Sequence, residues 1–198
     1  MNIVFDLGGV VLTWNPRAIV AGVFADEASQ DRVLSEVFGH RDWVELDRGA
    51  LPIDEAISRA SSRTGLREAD LALMFRQVPY SMVPIPQMID LFHRLKARGH
   101  SLYCLSNLHA HSFAHLKAGY TFWDLFKGAV ISCLVHLCKP EPAIYAHLIE
   151  TFRLNAHDTL FIDDLQVNLD AANPFGIGTI RFMTQAQCER ELKAAGCL

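Results

Sequence analysis

Four short stretches of this 198-residue chain put chemically capable side chains where apolar runs end. Asp6 follows Ile3-Val4-Phe5, and Ser106-Asn107 follows Leu102-Tyr103-Cys104-Leu105. Asp163-Asp164 follows Leu160-Phe161-Ile162, and Lys139 stands in Cys138-Lys139-Pro140 just ahead of a helical pattern. Carboxylates from two segments suit a hard divalent cation, above all magnesium, which takes a few carboxylates and completes its shell with water and phosphate oxygens. One carboxylate, Asp6, can attack phosphorus to give an aspartyl phosphate, splitting ester hydrolysis into two easier steps. Lys139 and the Ser106 hydroxyl would neutralise and orient the phosphoryl oxygens, since phosphoryl transfer depends on positioning and charge stabilisation. The chemistry these residues fit is phosphomonoester hydrolysis.

Such residues act together only if the chain brings them to one place. Asn2 to Leu7, Ser101 to Ser106, Gly128 to Ser132 and Thr159 to Ile162 read as short buried parallel strands, with Gly178 to Phe182 a weaker fifth. Helical spacing fills the intervals, as in Ile85, Met88, Ile89, Phe92 and Leu95 closed by Gly99, and in Ile144, Leu148, Ile149 and Phe152 after Pro140-Glu141-Pro142. That alternation predicts an α/β fold with a Rossmann-like, doubly wound parallel sheet. In such sheets ligands bind at the carboxyl ends of the strands, where all four stretches fall. One interval breaks the rhythm. Residues 14–81 hold several helical patterns and no strand, too long for a crossover loop, and read as a small helical cap inserted after the first strand; residues 1–13 and 82–198 form the core domain.

Composition narrows the partners. With 51% hydrophobic and 20% charged residues the chain can bury a core, and a net charge of −4 offers no basic stripe for nucleic acid. No apolar run is long enough to span a bilayer, and Met1-Asn2 leads straight into the first strand, so a cytoplasmic location without membrane association is expected. Five cysteines without a CxxC pair read as reduced packing residues.

The motifs together resemble the haloacid dehalogenase superfamily. Phe5-Asp6-Leu7-Gly8-Gly9-Val10 is similar to its first motif, Leu105-Ser106-Asn107 to its second, Lys139-Pro140-Glu141 to its third, and Phe161-Ile162-Asp163-Asp164 with Asn168 to its fourth. The resemblance implies Asp6 as nucleophile, Ser106 and Lys139 as phosphate binders, and magnesium held by Asp6, the Gly8 carbonyl and Asp164, with Asp163 close by or bound through water. Asn15-Pro16-Arg17, Asp47-Arg48-Gly49 and the run from Lys139 to Tyr145 are similar to bacterial sugar phosphatases of the α-D-glucose 1-phosphate phosphatase type. That likeness points to a small sugar phosphate, with Gly9, Asn107, Arg17 and Arg48 as substrate-binding residues. A 2-haloacid dehalogenase and a catalytically impaired binding protein are the alternatives.

Gly8 departs from the pattern. Most phosphatases of the superfamily carry there a second aspartate, which protonates the leaving oxygen and activates water. His40 and Asp47 are candidate replacements from the cap. His136 stands where glycine is common and would narrow the phosphate end or pack beside its loop. Arg41 reads as a surface arginine; His109, His111 and His115 read as surface histidines rather than a zinc site, and Trp14, Trp43 and Trp123 as packing residues.

Overall fold

The computed structural model describes residues 1–198. Five parallel strands, β1 (Asn2–Phe5), β2 (Ser101–Ser106), β3 (Gly128–Ile131), β4 (Thr159–Asp163) and β5 (Gly178–Arg181), form one sheet in the order β3-β2-β1-β4-β5. The chain winds outward from β1 in one direction through β2 and β3, then returns to the other side of β1 with β4. The switch therefore lies between β1 and β4, the crevice where such sheets take ligands. All five expected strands are present, each within a residue or two of its predicted limits.

Alternation along β1 decides its packing, because successive side chains point to opposite faces. Ile3 and Phe5 join the larger core with Met88, Leu91, Phe92 and Leu95, while Val4 joins the opposite one with Ile144, Tyr145 and Leu148. Helices α6 (Pro86–Ala97) and α11 (Gln185–Ala194) cover the first face; α9 (Pro142–Phe152) and α10 (Gln166–Ala172) cover the second. Two further helices, α7 (Ala110–Gly119) and the short α8 (Ser132–Val135), follow β2 and β3. Their starts are set locally: Thr184 and Gln187 form a reciprocal capping box on α11, and Pro86 and Pro142 occupy first turns where a missing N–H costs nothing.

Between β1 and α6 lie α1 (Pro16–Ala21), α2 (Glu27–Val33), α3 (Arg41–Asp47), α4 (Ile53–Thr64) and α5 (Glu68–Ser81). They bury a separate cluster of 14 residues, among them Val33, Leu71, Met74 and Phe75. The two connections to the sheet are tied together, since Thr13 N donates to Val83 O at 2.9 Å and Thr13 Oγ1 donates to Ser81 O at 2.6 Å. Trp14 packs against both clusters at this junction. All five cysteines are buried and free, and no helix is long and apolar enough to cross a membrane.

Candidate active site

Register brings the chemical residues into line. Phe5 pairs with Ile162 on β4 and with Cys104 on β2, so Asp6, Asp163 and Ser106 leave three adjacent strands at the same edge. Lys139 reaches in from the loop before α9, with its Nζ 2.9 Å from Asp6 Oδ1 and 2.7 Å from Asp163 Oδ2. Asp6, Asp163 and Asp164 offer carboxylate oxygens that all lie within 4.8 Å of one another.

Each of these carboxylates is differently engaged. Asp163 is fully buried and its oxygens are taken: Leu165 N donates to Oδ1 at 2.8 Å, Lys139 Nζ donates to Oδ2, and Asn168 Nδ2 donates to both at 3.0 Å. It therefore orients Lys139 and the acidic loop. Asp6 Oδ1 accepts from Leu7 N at 2.7 Å as well as from Lys139, while no protein donor reaches Oδ2. Asp164 takes no side-chain hydrogen bond and packs against Gly9. Gly9 has φ +77°, and a Cβ there would stand 2.8 Å from Asp164 Oδ2, so only glycine allows the backbone this close.

Burial raises the Asp6 carboxyl to about 7, with Asp163 adding to the rise and Lys139 opposing it. Burial also disfavours charge on Lys139, but the Asp6 and Asp163 carboxylates win and hold its ammonium above the ordinary range. Burial and Asp163 raise Asp164 as well. In their ionised forms the three carboxylates and one ammonium leave two negative charges uncompensated in a low-dielectric crevice. An all-oxygen donor set with that residual charge fits a hard divalent cation.

Above the group lies a cavity of about 580 Å³ lined by 22 residues, ten of them hydrophobic. Asp6, Gly8, Lys139 and Asp164 form its floor. Trp14, Phe38 and Trp43 form an aromatic wall, with ring centroids 4.4 to 6.2 Å apart. Leu34, Val78 and Met82 extend it, and half-exposed Leu165 and Val167 form the rim.

Several expected substrate contacts lie elsewhere. Arg17 is exposed and pairs with Asp31 at 3.1 Å. Arg48 makes a two-pronged ion pair with Glu141, its Nη1 2.8 Å from Oε2, and does not line the cavity. Asn107 lines it, but its amide clamps the backbone of Lys139, donating from Nδ2 to the carbonyl at 2.9 Å and accepting the N–H at 2.8 Å. Ser106 is buried at the end of β2 with its hydroxyl making no hydrogen bond within the protein. His136 is exposed, with Nδ1 3.0 Å from Arg48 O, and does not line the cavity. His40 caps α3 on an outer surface beside Arg41, Asp42 and Arg63. Arg41 shares that surface.

His109 corrects the surface reading of the histidines. It is buried, it caps α7, and its ring lies edge-on to Trp43. Burial, with His111 nearby, lowers it to about 4, so its imidazole is neutral. Asp47 lies at the end of α3, buried and lining the cavity. Burial raises its carboxyl to about 7, against the opposing pull of the His109 backbone N–H. Ser132, which the sequence reading passed over, is fully buried; its Oγ donates to Asp47 O at 2.6 Å and accepts from Leu108 N at 2.8 Å. Its position at the end of an apolar strand, like that of Ser106, is the pattern that would have flagged it.

A model of the haloacid dehalogenase-like hydrolases matches residues 1–176. The chain is 30% identical over 195 residues to the sesquiterpene phosphatase astK of Aspergillus oryzae, covering 98% of this chain and 96% of that one. It is 23% identical to the drimenol cyclase drtB of Aspergillus calidoustus, of which it spans 35%. Among solved structures, a HAD family enzyme of Bacteroides thetaiotaomicron in complex with magnesium and inorganic phosphate superposes with a TM-score of 0.69 at 20% identity, over 92% of this chain and 93% of that one. L-2-haloacid dehalogenase from Xanthobacter autotrophicus gives 0.68 at 20% identity, over 100% and 84%. At these identities the two structures speak for the fold alone.

Proposed function

The chain belongs to the haloacid dehalogenase-like hydrolases, and from that premise we propose that it is a magnesium-dependent phosphatase. It acts through an aspartyl-phosphate intermediate on a small monoester whose organic part is apolar. The observation that carries the reading is the group formed by Lys139 between Asp6 and Asp163, closed by Asp164 and short of two positive charges. A 2-haloacid dehalogenase needs an aspartate nucleophile and no metal, and would gain nothing from three carboxylates crowded within 4.8 Å.

In this reading Asp6 attacks phosphorus through the oxygen that no protein donor occupies. Lys139 neutralises the phosphoryl group, the unpartnered Ser106 hydroxyl donates to it, and Asn107 holds Lys139 in place through its backbone. Asp6, Asp164 and the Gly8 carbonyl would hold the cation, which would offset the charge of a phosphate dianion entering an acidic site. Helices α1 to α5, residues 14–81, act as a cap that keeps water from the reacting atoms.

The sugar reading loses its guanidinium partners, since Arg17 pairs with Asp31 and Arg48 with Glu141. Trp14, Phe38, Trp43 and Met82 suit a hydrocarbon, as pockets select by burying apolar surface and by a few placed polar groups. The sesquiterpene phosphatase named among the relatives agrees with an apolar organic group.

The test is a phosphate-release panel of long-chain alkyl, prenyl and sugar monoesters, with and without magnesium, on the wild type and Asp6→Asn. Magnesium-dependent release from the apolar esters, abolished by the substitution, is expected. Preference for the sugars would overturn the substrate class. Halide release from 2-chloropropionate without phosphate release would make the chain a dehalogenase, and a folded protein that releases neither would be a binding protein.

A further inference from the structure

We propose that Asp47 is the general acid and base of this reaction, supplying from α3 the carboxyl that position 8 lacks. The inference rests on the phosphatase reading and adds a catalytic residue to it.

Gly8 leaves a chemical vacancy. An alkoxide is a poor leaving group, and a positioned acid contributes typically about 10²- to 10⁴-fold. A Cβ at Gly8 would make only ordinary contacts, with Trp14 Cβ at 3.8 Å and Met82 Cε at 3.9 Å, so the position is open but carries no acid. The replacement must line the same cavity as Asp6. The cavity's acids are Asp6, Asp47 and Asp164, and the nucleophile and the metal site account for the first and third. His109 is neutral, with Nε2 2.9 Å from Ser112 Oγ, and His40 faces another surface.

Asp47 is also unusually well fixed for a residue in the helical layer. Ser132 Oγ at the end of β3 binds its carbonyl, and the same oxygen takes the N–H of Leu108 in the loop after Ser106. At the next residue, Arg48 O lies 3.0 Å from His136 Nδ1 while the Arg48 guanidinium grips Glu141. At Gly49, φ is +75° and a Cβ would stand 2.8 Å from Cys133 O, so the backbone rests directly on the core. Three successive residues are thus moored to the rim of the sheet. No lysine or arginine pairs with the Asp47 carboxyl. The His109 backbone N–H and Trp43 reach the carboxyl, yet without an ionic partner its charge remains costly at a cavity wall, the setting in which acids serve proton transfer. Burial raises it to about 7, a useful value for taking and giving a proton near neutrality.

In the first step an Asp6 oxygen forms a bond to phosphorus and the P–O bond to the ester oxygen breaks. The electron pair goes to that oxygen, which takes the proton of the Asp47 carboxyl and departs as the alcohol. In the second, water attacks phosphorus and gives its proton to the Asp47 carboxylate. The P–O bond to Asp6 breaks, its electron pair returns to the Asp6 carboxylate, and inorganic phosphate leaves with Asp47 protonated again.

The experiment compares wild type, Asp47→Asn and Asp47→Ser on decyl phosphate and p-nitrophenyl phosphate, with magnesium present. Both variants should lose about 10²- to 10⁴-fold in kcat/KM for decyl phosphate. The loss for p-nitrophenyl phosphate, whose phenolate leaves without a proton, should stay below about 10-fold. With the base removed, the aryl ester should give a burst of phenolate and leave phosphoryl-Asp6 in acid-quenched protein. The Ser variant decides the matter if the Asn variant does not fold. Equal losses on both esters without a burst, or undiminished turnover of decyl phosphate, would overturn the proposal. A wild type that hydrolyses neither ester would instead sink the phosphatase reading beneath it.

Discussion

Asp47→Asn should stabilise the fold at alkaline pH even as it disables turnover. Burial carries the Asp47 carboxyl from its ordinary 3.8 to about 7. Below pH 4 it is protonated in the folded and unfolded chains alike and contributes no difference. Between about pH 4 and 7 the unfolded chain releases the proton while the folded chain keeps it, so unfolding becomes easier as pH rises. Above 7 both forms are ionised and the full cost is present. A gap of about three pH units at about 1.4 kcal/mol each puts that cost near 4 kcal/mol as an upper bound, a large part of a typical domain's stability. Asparagine has nothing to ionise. Its advantage over wild type should therefore grow by about 2 to 3 kcal/mol from pH 5 to pH 8. For a chain of this length that is roughly 5 to 10 °C in Tm. Thermal and urea unfolding of both proteins at the two pH values, with a chelator to remove divalent cations, measures the difference. A difference in Tm that is the same at both pH values, or that turns against the variant as pH rises, would mean that Asp47 ionises at its ordinary value and would refute the argument from burial.

Magnesium at about 100 times its Kd should raise wild-type stability by about 2.7 kcal/mol, and Asp164→Asn should erase most of that rise in a melting titration. Phe38→Ala removes one ring of the aromatic wall, worth about 1.5 to 3 kcal/mol of apolar burial; decyl phosphate should bind about 10- to 100-fold more weakly while inhibition by inorganic phosphate is unchanged. Gly128→Ala would drive a Cβ into the Phe152 ring on the sheet's second face, and should destabilise the chain by about 1 to 3 kcal/mol in urea unfolding without changing KM.

What the sequence discloses follows the range of the forces involved. Strands β1, β2 and β4 announce themselves because apolar runs of three or four residues end abruptly in Asp6, Ser106 and Asp163, and the sheet's winding then puts those ends together. The assignment of oxygens to partners is beyond its reach. Nothing local distinguishes Asp163 from Asp164, yet α10 delivers Asn168 to the first and leaves the second facing Gly9. Arg17 and Arg48 look equally suited to an anion from their sequence surroundings, and only tertiary contacts with Asp31 and Glu141 remove them from the site. His40 and Asp47 were indistinguishable for the same reason. Seven residues apart on the same short segment, they face different surfaces, and only Asp47 is buried over the acidic group. Gly8 ties these points together. A Cβ there would make ordinary contact with Trp14 Cβ at 3.8 Å, so the wall itself leaves room for a side chain. With no carboxyl at position 8, Asp47 on α3 is the acid of the cavity left free of the nucleophile and metal roles.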